Sequence, residues 1–152
     1  MRLWVDADAC PREVKELVFR AAERWQVKTV LVANSSLWTP RSTFISTVQV
    51  SAGLNVADDY IAREAVAGDL AVTADVPLAA TLVRKGIVVI DSRGEELTPD
   101  NVEERLSMRD LLQELRDSGV QTKGPRAFDA RARQQFANAI DRLLAAAKRR
   151  PS

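Results

Sequence analysis

The chain has 152 residues, 46% of them hydrophobic and 28% charged, with 22 Lys plus Arg against 21 Asp plus Glu for a formal net charge of +1. That length suffices for one globular domain with a substantial core, and the near-neutral total supplies no whole-molecule attraction to nucleic acid, an acidic partner or a membrane. There is no histidine and a single cysteine, Cys10, which excludes Ser-His-Asp hydrolysis, histidine-ligated zinc and imidazole acid–base chemistry, and leaves carboxylates, hydroxyls, Lys and Arg, a set suited to hard cations such as Mg²⁺ or Mn²⁺.

In chain order, Leu3–Val5 is a short apolar run of the kind that forms a strand buried on both faces. Val14, Leu17, Val18, Ala21, Ala22 and Trp25 follow at helical spacing behind Pro11, which predicts an amphipathic helix opened by that proline. Further strands are predicted at Thr29–Ala33, Thr47–Val50, Leu70–Thr73 and Ile87–Ile90. Between them, Ala57, Ile61 and Ala65 predict a second helix capped by Asn55, and Val76 to Lys85 a third closed by Gly86. Alternation of strands and helices implies βαβ units and a mostly parallel sheet covered on both sides.

From about Thr98 the pattern turns helical. Met108, Leu111, Leu112 and Leu115 form one stripe and Phe136, Ile140, Leu143, Leu144 and Ala147 another, separated by the polar loop Ser118 to Pro125. Residues 148–152 read as a frayed basic end, leaving a single domain over 1–147. Residues 1–100 hold 11 Lys plus Arg and 14 Asp plus Glu, whereas residues 101–152 hold 11 and 7, so an acidic sheet region precedes a basic helical tail. A lone thiol cannot staple the chain, no run reaches the length of a membrane span, and the charged start Met1 to Asp8 is unlike a signal peptide. A cytoplasmic protein with no membrane partner is expected.

Acids recur at the ends of the predicted strands: Asp6 and Asp8 after the first, Asp58 and Asp59 in the first turn of the second helix, Asp75 after the fourth strand and Asp91 after the fifth. In a parallel sheet these ends lie along one edge, where open α/β folds bind ligands. Carboxylates gathered there call for a divalent cation or raised pKa values. Capping and turns account for several of them singly: Asp75 before Val76-Pro77, Asp8 near the helix behind Pro11, Asp91-Ser92-Arg93-Gly94 as a turn. Asp6 stands out because it directly continues an apolar strand, where an uncompensated carboxylate is costly. Helical geometry turns Asp58 inward and Asp59 toward water. Cys10 reads as a small buried side chain, a thiolate role being disfavoured without a histidine. Trp4 and Trp25 read as core, Trp38 as a base-stacking candidate beside Pro40-Arg41. Asn34 and Ser35 at the second strand's end, Arg41, Arg109, Thr122, Lys123 and Arg126 are candidates for phosphate contact, with turn formation or solvated surface charge the competing explanation for each.

The strings Val5-Asp-Ala-Asp-Ala-Cys-Pro11, Leu31-Val-Ala-Asn34, Val56-Ala-Asp-Asp-Tyr-Ile61, Gly68-Asp-Leu-Ala-Val-Thr-Ala-Asp-Val-Pro-Leu-Ala79, Met108-Arg-Asp110, Ser118-Gly-Val-Gln-Thr122, Gly124-Pro125 and Phe136-Ala-Asn138 together resemble the bacterial YaiI/YqxD family, of unassigned function, over about residues 1–147. That family looks related to the PIN-like nucleases. The resemblance implies a three-layer α/β/α fold with a C-terminal helical extension, in which Asp6, Asp58 and Asp75 bind Mg²⁺ or Mn²⁺ and cleave phosphodiester bonds, with RNA the expected substrate. Asp8, on the same side of the extended segment as Asp6, is a further metal candidate, and Asp8, Asp59 or Asp91 are the acids open to serve as a fourth. It departs from the PIN-like pattern where a further acid close behind the third is common, since Val76-Pro77-Leu78 stands here. Two other expectations compete: a module that binds nucleic acid or a nucleotide without turnover, and a small-molecule phosphatase using Asp6-Ala7-Asp8 with Thr73, against which the placement of Asp58-Asp59 before Thr73 argues.

Overall fold

The computed structural model describes residues 1–124 and 127–149. In chain order the elements are β1 (Arg2–Asp6), α1 (Arg12–Trp25), β2 (Lys28–Ala33), β3 (Ile45–Gln49), α2 (Val56–Glu64), β4 (Leu70–Val72), α3 (Val76–Arg84), β5 (Val88–Ile90), β6 (Glu96–Leu97), α4 (Val102–Asp117) and α5 (Ala130–Arg149). The strands form one sheet in the order β3-β2-β1-β4-β5-β6, parallel except for β6, which runs antiparallel to β5.

The central strands are apolar on both faces because both faces are covered. Leu3, Val5, Leu31 and Val72 point into a core closed by Val14 and Val18 of α1 and by Phe136, Ile140 and Leu144 of α5. Trp4, Val30, Val32 and Ala71 point the opposite way, against Ile61 of α2, Leu78 and Leu82 of α3 and Val102 of α4. Alternate residues of a strand face opposite sides, so three helices on one face and two on the other make the three-layer α/β arrangement. Right-handed crossovers demand this partition: β1-α1-β2 winds one way along the sheet, β3-α2-β4 and β4-α3-β5 the other, so their helices fall on opposite faces. The reversal of winding lies between β1 and β4, which makes their carboxyl ends a topological switch point.

Several local features differ from the sequence expectations. β6 is a two-residue strand joined to β5 through the 91–95 turn, too short to carry a periodic signal. β3 begins at Ile45, ahead of the apolar Thr47–Val50 run. Asn55 precedes α2, yet its backbone is left-handed (φ 63°) and its side chain makes no capping hydrogen bond; its carbonyl accepts from Asp59 N–H instead. α4 is helical as expected, but Met108 and Leu111 remain 52% and 49% exposed. Only its first turns, through Val102 and Leu106, reach the core beside α3. Trp4 is buried and donates its indole N–H to Asp69, while half-buried Trp25 donates to Asp141 of α5. The Pro125 and Arg126 positions and the end of the basic tail at 150–152 lie outside the described residues. No helix among the described residues is long and apolar enough to cross a membrane.

Candidate active site at the carboxyl edge of the sheet

The switch point carries an open cleft of about 380 Å³ lined by Asp6, Asp8, Asn34, Asp58 and Asp75 together with Ala9, Gly53, Asn55, Val56, Ala57 and Ala74. Each acid arrives on a different piece of scaffold. Asp6 is the last residue of β1 and is only 6% exposed. Asp8 lies on the turn after it, exposed, and accepts from Asn34 N–H at 2.8 Å, tying the end of β1 to the end of β2. The helix α1 is preceded by Pro11 and has no side-chain cap, so the capping role open to Asp8 is not the one it takes. Asp58 sits in the first turn of α2, on the inward side, while Asp59 is exposed. Asp75 ends the β4–α3 connection and caps α3, accepting from Leu78 N–H at 2.8 Å.

Thr73 joins two of these acids. Buried beneath the cleft, its hydroxyl donates to Asp6 Oδ2 at 2.9 Å and accepts from Asp75 N–H at 3.0 Å. One side chain therefore fixes the Asp6 carboxylate and the backbone that presents Asp75. Sequence reasoning gives Thr73 weight only under the phosphatase reading; the usable signal is a hydroxyl residue two places before Asp75, where the chain leaves the ladder.

No Lys or Arg is among the lining residues, and the acids feel one another. Burial pushes the Asp58 carboxyl up to about 7, with the charges of Asp75 and Asp6, a hydrogen bond to Asp75 and the charge of Asp59 adding to the rise. Asp6 is raised in the same direction, first by burial and then by Asp75 and Asp8, against the lowering effect of the Thr73 hydroxyl. Burial leads in both, and carboxylates crowded without a basic side chain among the lining residues add to it. The donors facing the cleft are hard oxygens, the chemistry of a Mg²⁺ or Mn²⁺ site. With the side chains as they stand, no three acidic or thiol groups among the described residues form a set that could hold a metal ion. One oxygen of each of three acids is bonded within the chain: Asp6 Oδ2 by the Thr73 hydroxyl, Asp8 Oδ2 by Asn34 N–H and Asp75 Oδ1 by Leu78 N–H.

The remaining candidates disperse. Asn34 lines the cleft through the segment that bonds Asp8, whereas Ser35, Arg41, Arg109, Thr122 and Lys123 do not line it. Arg109 pairs with its neighbour Asp110 on exposed α4. Arg126 is outside the described residues. Trp38 is 78% exposed, with its ring edge against Phe19. Asp91 is a structural acid: its carboxylate accepts from Arg93 N–H and Glu95 N–H, each at 2.9 Å, and pairs with Arg105. Cys10 is buried, and that burial pushes its thiol up to about 12, the opposite of an activated nucleophile.

Comparison with known proteins extends over nearly the whole chain. The family model described as "Uncharacterized BCR, YaiI/YqxD family" matches residues 4–146. A UPF0178 protein of Myxococcus xanthus (strain DK1622) is 58% identical over 144 residues, covering 95% of this chain and 94% of the relative. A UPF0178 protein of Bordetella avium (strain 197N) is 55% identical over 145 residues, with 95% and 94% covered. One from Pectobacterium carotovorum subsp. carotovorum (strain PC1) is 52% identical over 149 residues, with 98% and 99% covered. No solved structure matches the chain significantly.

Proposed function

The chain belongs to the YaiI/YqxD family, and from its acidic cleft we propose that it is a metal-dependent nuclease that cleaves phosphodiester bonds, with RNA as the substrate. The observation that carries this reading is geometric: Asp6, Asp58 and Asp75, from β1, α2 and the β4–α3 connection, line one cleft at the switch point with no basic side chain among the lining residues. Such a set is stable as three carboxylates when a cation of charge +2 neutralises it. Asp6, Asp58 and Asp75 would hold Mg²⁺ or Mn²⁺, with Asp8 as a further oxygen donor. Bound there, the ion supplies an activated water near neutral pH and Lewis-acid stabilisation of charge on the phosphoryl oxygens.

The chain's own residues do the positioning. Thr73 holds Asp6 in one orientation, the α3 N-terminus holds Asp75, and Asn34 N–H holds Asp8 at the rim. A cation held there would favour the ionised form of Asp58. The phospho-aspartate alternative fits less well, because no lysine is among the lining residues to steady a transferred phosphoryl group.

Two measurements test the proposal. Mn²⁺ or Mg²⁺ is expected to raise the melting temperature of the wild-type chain at pH 8, and to do so far less in Asp6→Asn. Cleavage of single-stranded RNA is expected in Mn²⁺, to stop in excess EDTA, and to fall at least 100-fold in Asp6→Asn while the fold is kept. Cleavage that persists in EDTA or in Asp6→Asn overturns the proposal. Binding of RNA with no cleavage at any metal concentration would select the non-catalytic module instead.

A further inference from the structure

The acidic cleft lacks what a polyanionic substrate needs, a basic surface on which the rest of its backbone can lie. One is present on the same edge of the sheet; the basic C-terminal stretch drew attention in the sequence, but not the particular arginines that form this surface. Thr73 N–H donates to Ile90 carbonyl O at 3.1 Å, so the 91–95 turn that leaves β5 begins beside the strand end carrying Thr73 and Asp75. With strands roughly 4.8 Å apart, that turn starts about two strand spacings from β1 and Asp6. Between the turn and α5 runs a groove of about 560 Å³ lined by Arg93, Gly94, Glu95, Gln135, Asn138, Ala139 and Arg142.

The groove is built into the fold. Gly94 has φ +83°, and a Cβ there would fall 2.5 Å from the carbonyl oxygen of Gln135, so the turn lies directly on the α5 backbone. Arg93 reaches across to Ala127 carbonyl O. Along α5, Arg131, Gln135, Asn138 and Arg142 are all exposed, and their offsets of four, three and four residues place them within one narrow stripe of the helix. The stripe holds two arginines, two amides and no acid. The one acid of the helix, Asp141, is turned to Arg24 and Trp25 of α1, and the one acid lining the groove, Glu95, is paired with Arg105 at 2.9 Å. Lys148 of α5 bonds the Gln26 carbonyl behind α1, so the helix descends from the carboxyl edge toward the opposite edge. At 1.5 Å per residue, Arg131 to Arg142 covers about 16 Å, the reach of several consecutive phosphates.

We propose that this groove and stripe, through Arg131 and Arg142, bind the phosphodiester backbone of a single-stranded nucleic acid on the flank of the acidic cleft. The inference rests on the phosphodiesterase reading of that cleft and says where the substrate runs when it leaves it. Guanidinium groups and side-chain amides contact phosphate oxygens without reading sequence, so affinity comes from charge and depends on salt. The charge division between residues 1–100 and 101–152 then has a spatial meaning: the acids gather at the cleft and arginines line the flank.

The experiment measures binding of a labelled 12-nucleotide single-stranded RNA, and of its DNA counterpart, by fluorescence anisotropy in EDTA across a salt series. The chains compared are wild type, Arg142→Glu, Arg131→Glu and, as a control of equal charge change on α4, Arg116→Glu. Hydrolysis of bis(p-nitrophenyl) phosphate in Mn²⁺ reads the cleft separately. Expected are an affinity loss of about tenfold in each α5 variant and a salt slope lower by about one, with Arg116→Glu near wild type and ester hydrolysis unchanged. Equal loss for RNA and DNA marks a purely phosphate contact, and a larger loss for RNA adds a ribose contact; both support the proposal. Wild-type binding with no selective loss in the α5 variants overturns it and leaves the cleft reading standing. A wild-type chain that binds neither nucleic acid overturns it together with the nucleic-acid part of that reading.

Discussion

Asp58 is held in a position that discourages its own ionisation, and this gives the metal-free protein one definite contribution to its response to pH. Its carboxyl is raised from an ordinary 3.8 to about 7, first by burial and then by Asp75 and Asp6. A raised acid holds its proton more tightly in the folded state than in the unfolded one, so the stability that Asp58 contributes is present below pH about 4 and is lost as pH climbs through about 7. Asp58→Asn removes the ionisation. In EDTA its melting temperature is expected to lie close to that of wild type at pH 4 and clearly above it at pH 8, with the gap opening between those values. A gap independent of pH would show that the carboxyl is not perturbed. The residues alone put forward the acids at strand ends and turned Asp58 rather than Asp59 inward, because helical periodicity fixes which way a side chain points; the resemblance narrowed them to Asp6, Asp58 and Asp75. Sequence could not reveal the Thr73 bridge or the Asp8 bond to Asn34 N–H, since both span residues that become neighbours only when strands pair.

At the scale of elements, the helices whose apolar stripes face a strand were legible and those that face nothing were misleading. The stripe on α1 matches its buried residues, Val14, Val18, Ala21 and Ala22. An equally regular stripe on α4 does not, because hydrophobic spacing reports which residues share a face and says nothing of whether that face finds a partner. The two cases predict different energetics. Leu82→Ala on α3, where Leu82 is fully buried, is expected to cost about 2–5 kcal/mol. Leu111→Ala on α4 is expected to cost less than about 0.5 kcal/mol, as at an ordinary surface position. Chemical denaturation of both variants checks the contrast. The strand β6 escaped notice for a simpler reason: two residues cannot show a period, and it exists because Asp91 gathers the backbone N–H groups of Arg93 and Glu95 into a turn that folds the chain back onto β5.

For the whole molecule, the C-terminal helix is part of the main core. Phe136, Ile140 and Leu144 of α5 are at most 1% exposed and share a core with Leu3 and Val5 of β1, so they cover a face of the sheet that would otherwise meet water. Phe136→Ala is expected to cost about 3–5 kcal/mol, a large share of the roughly 5–15 kcal/mol typical of a domain. A chain ending at Asp129 is expected to lose cooperative unfolding altogether, as read by circular dichroism during heating; a sharp transition in that truncated chain would show α5 to be an accessory.

The sequence by itself determined the class of fold, the helical end of the chain, the exclusion of imidazole chemistry and the acids worth considering, because each of these depends on local periodicity or on composition. Only the tertiary structure decided which acids meet, because that depends on strand order. The order β3-β2-β1-β4-β5-β6 sets the ends of β1 and β4 side by side and draws the N-terminus of α2 over them, so Asp6, Asp58 and Asp75 share a cleft while Asp91, equally placed at a strand end, is spent on a turn and an ion pair with Arg105. The net charge of +1 could not show this: a sum over the whole chain says nothing of a cleft that gathers four acids with no Lys or Arg among its lining residues.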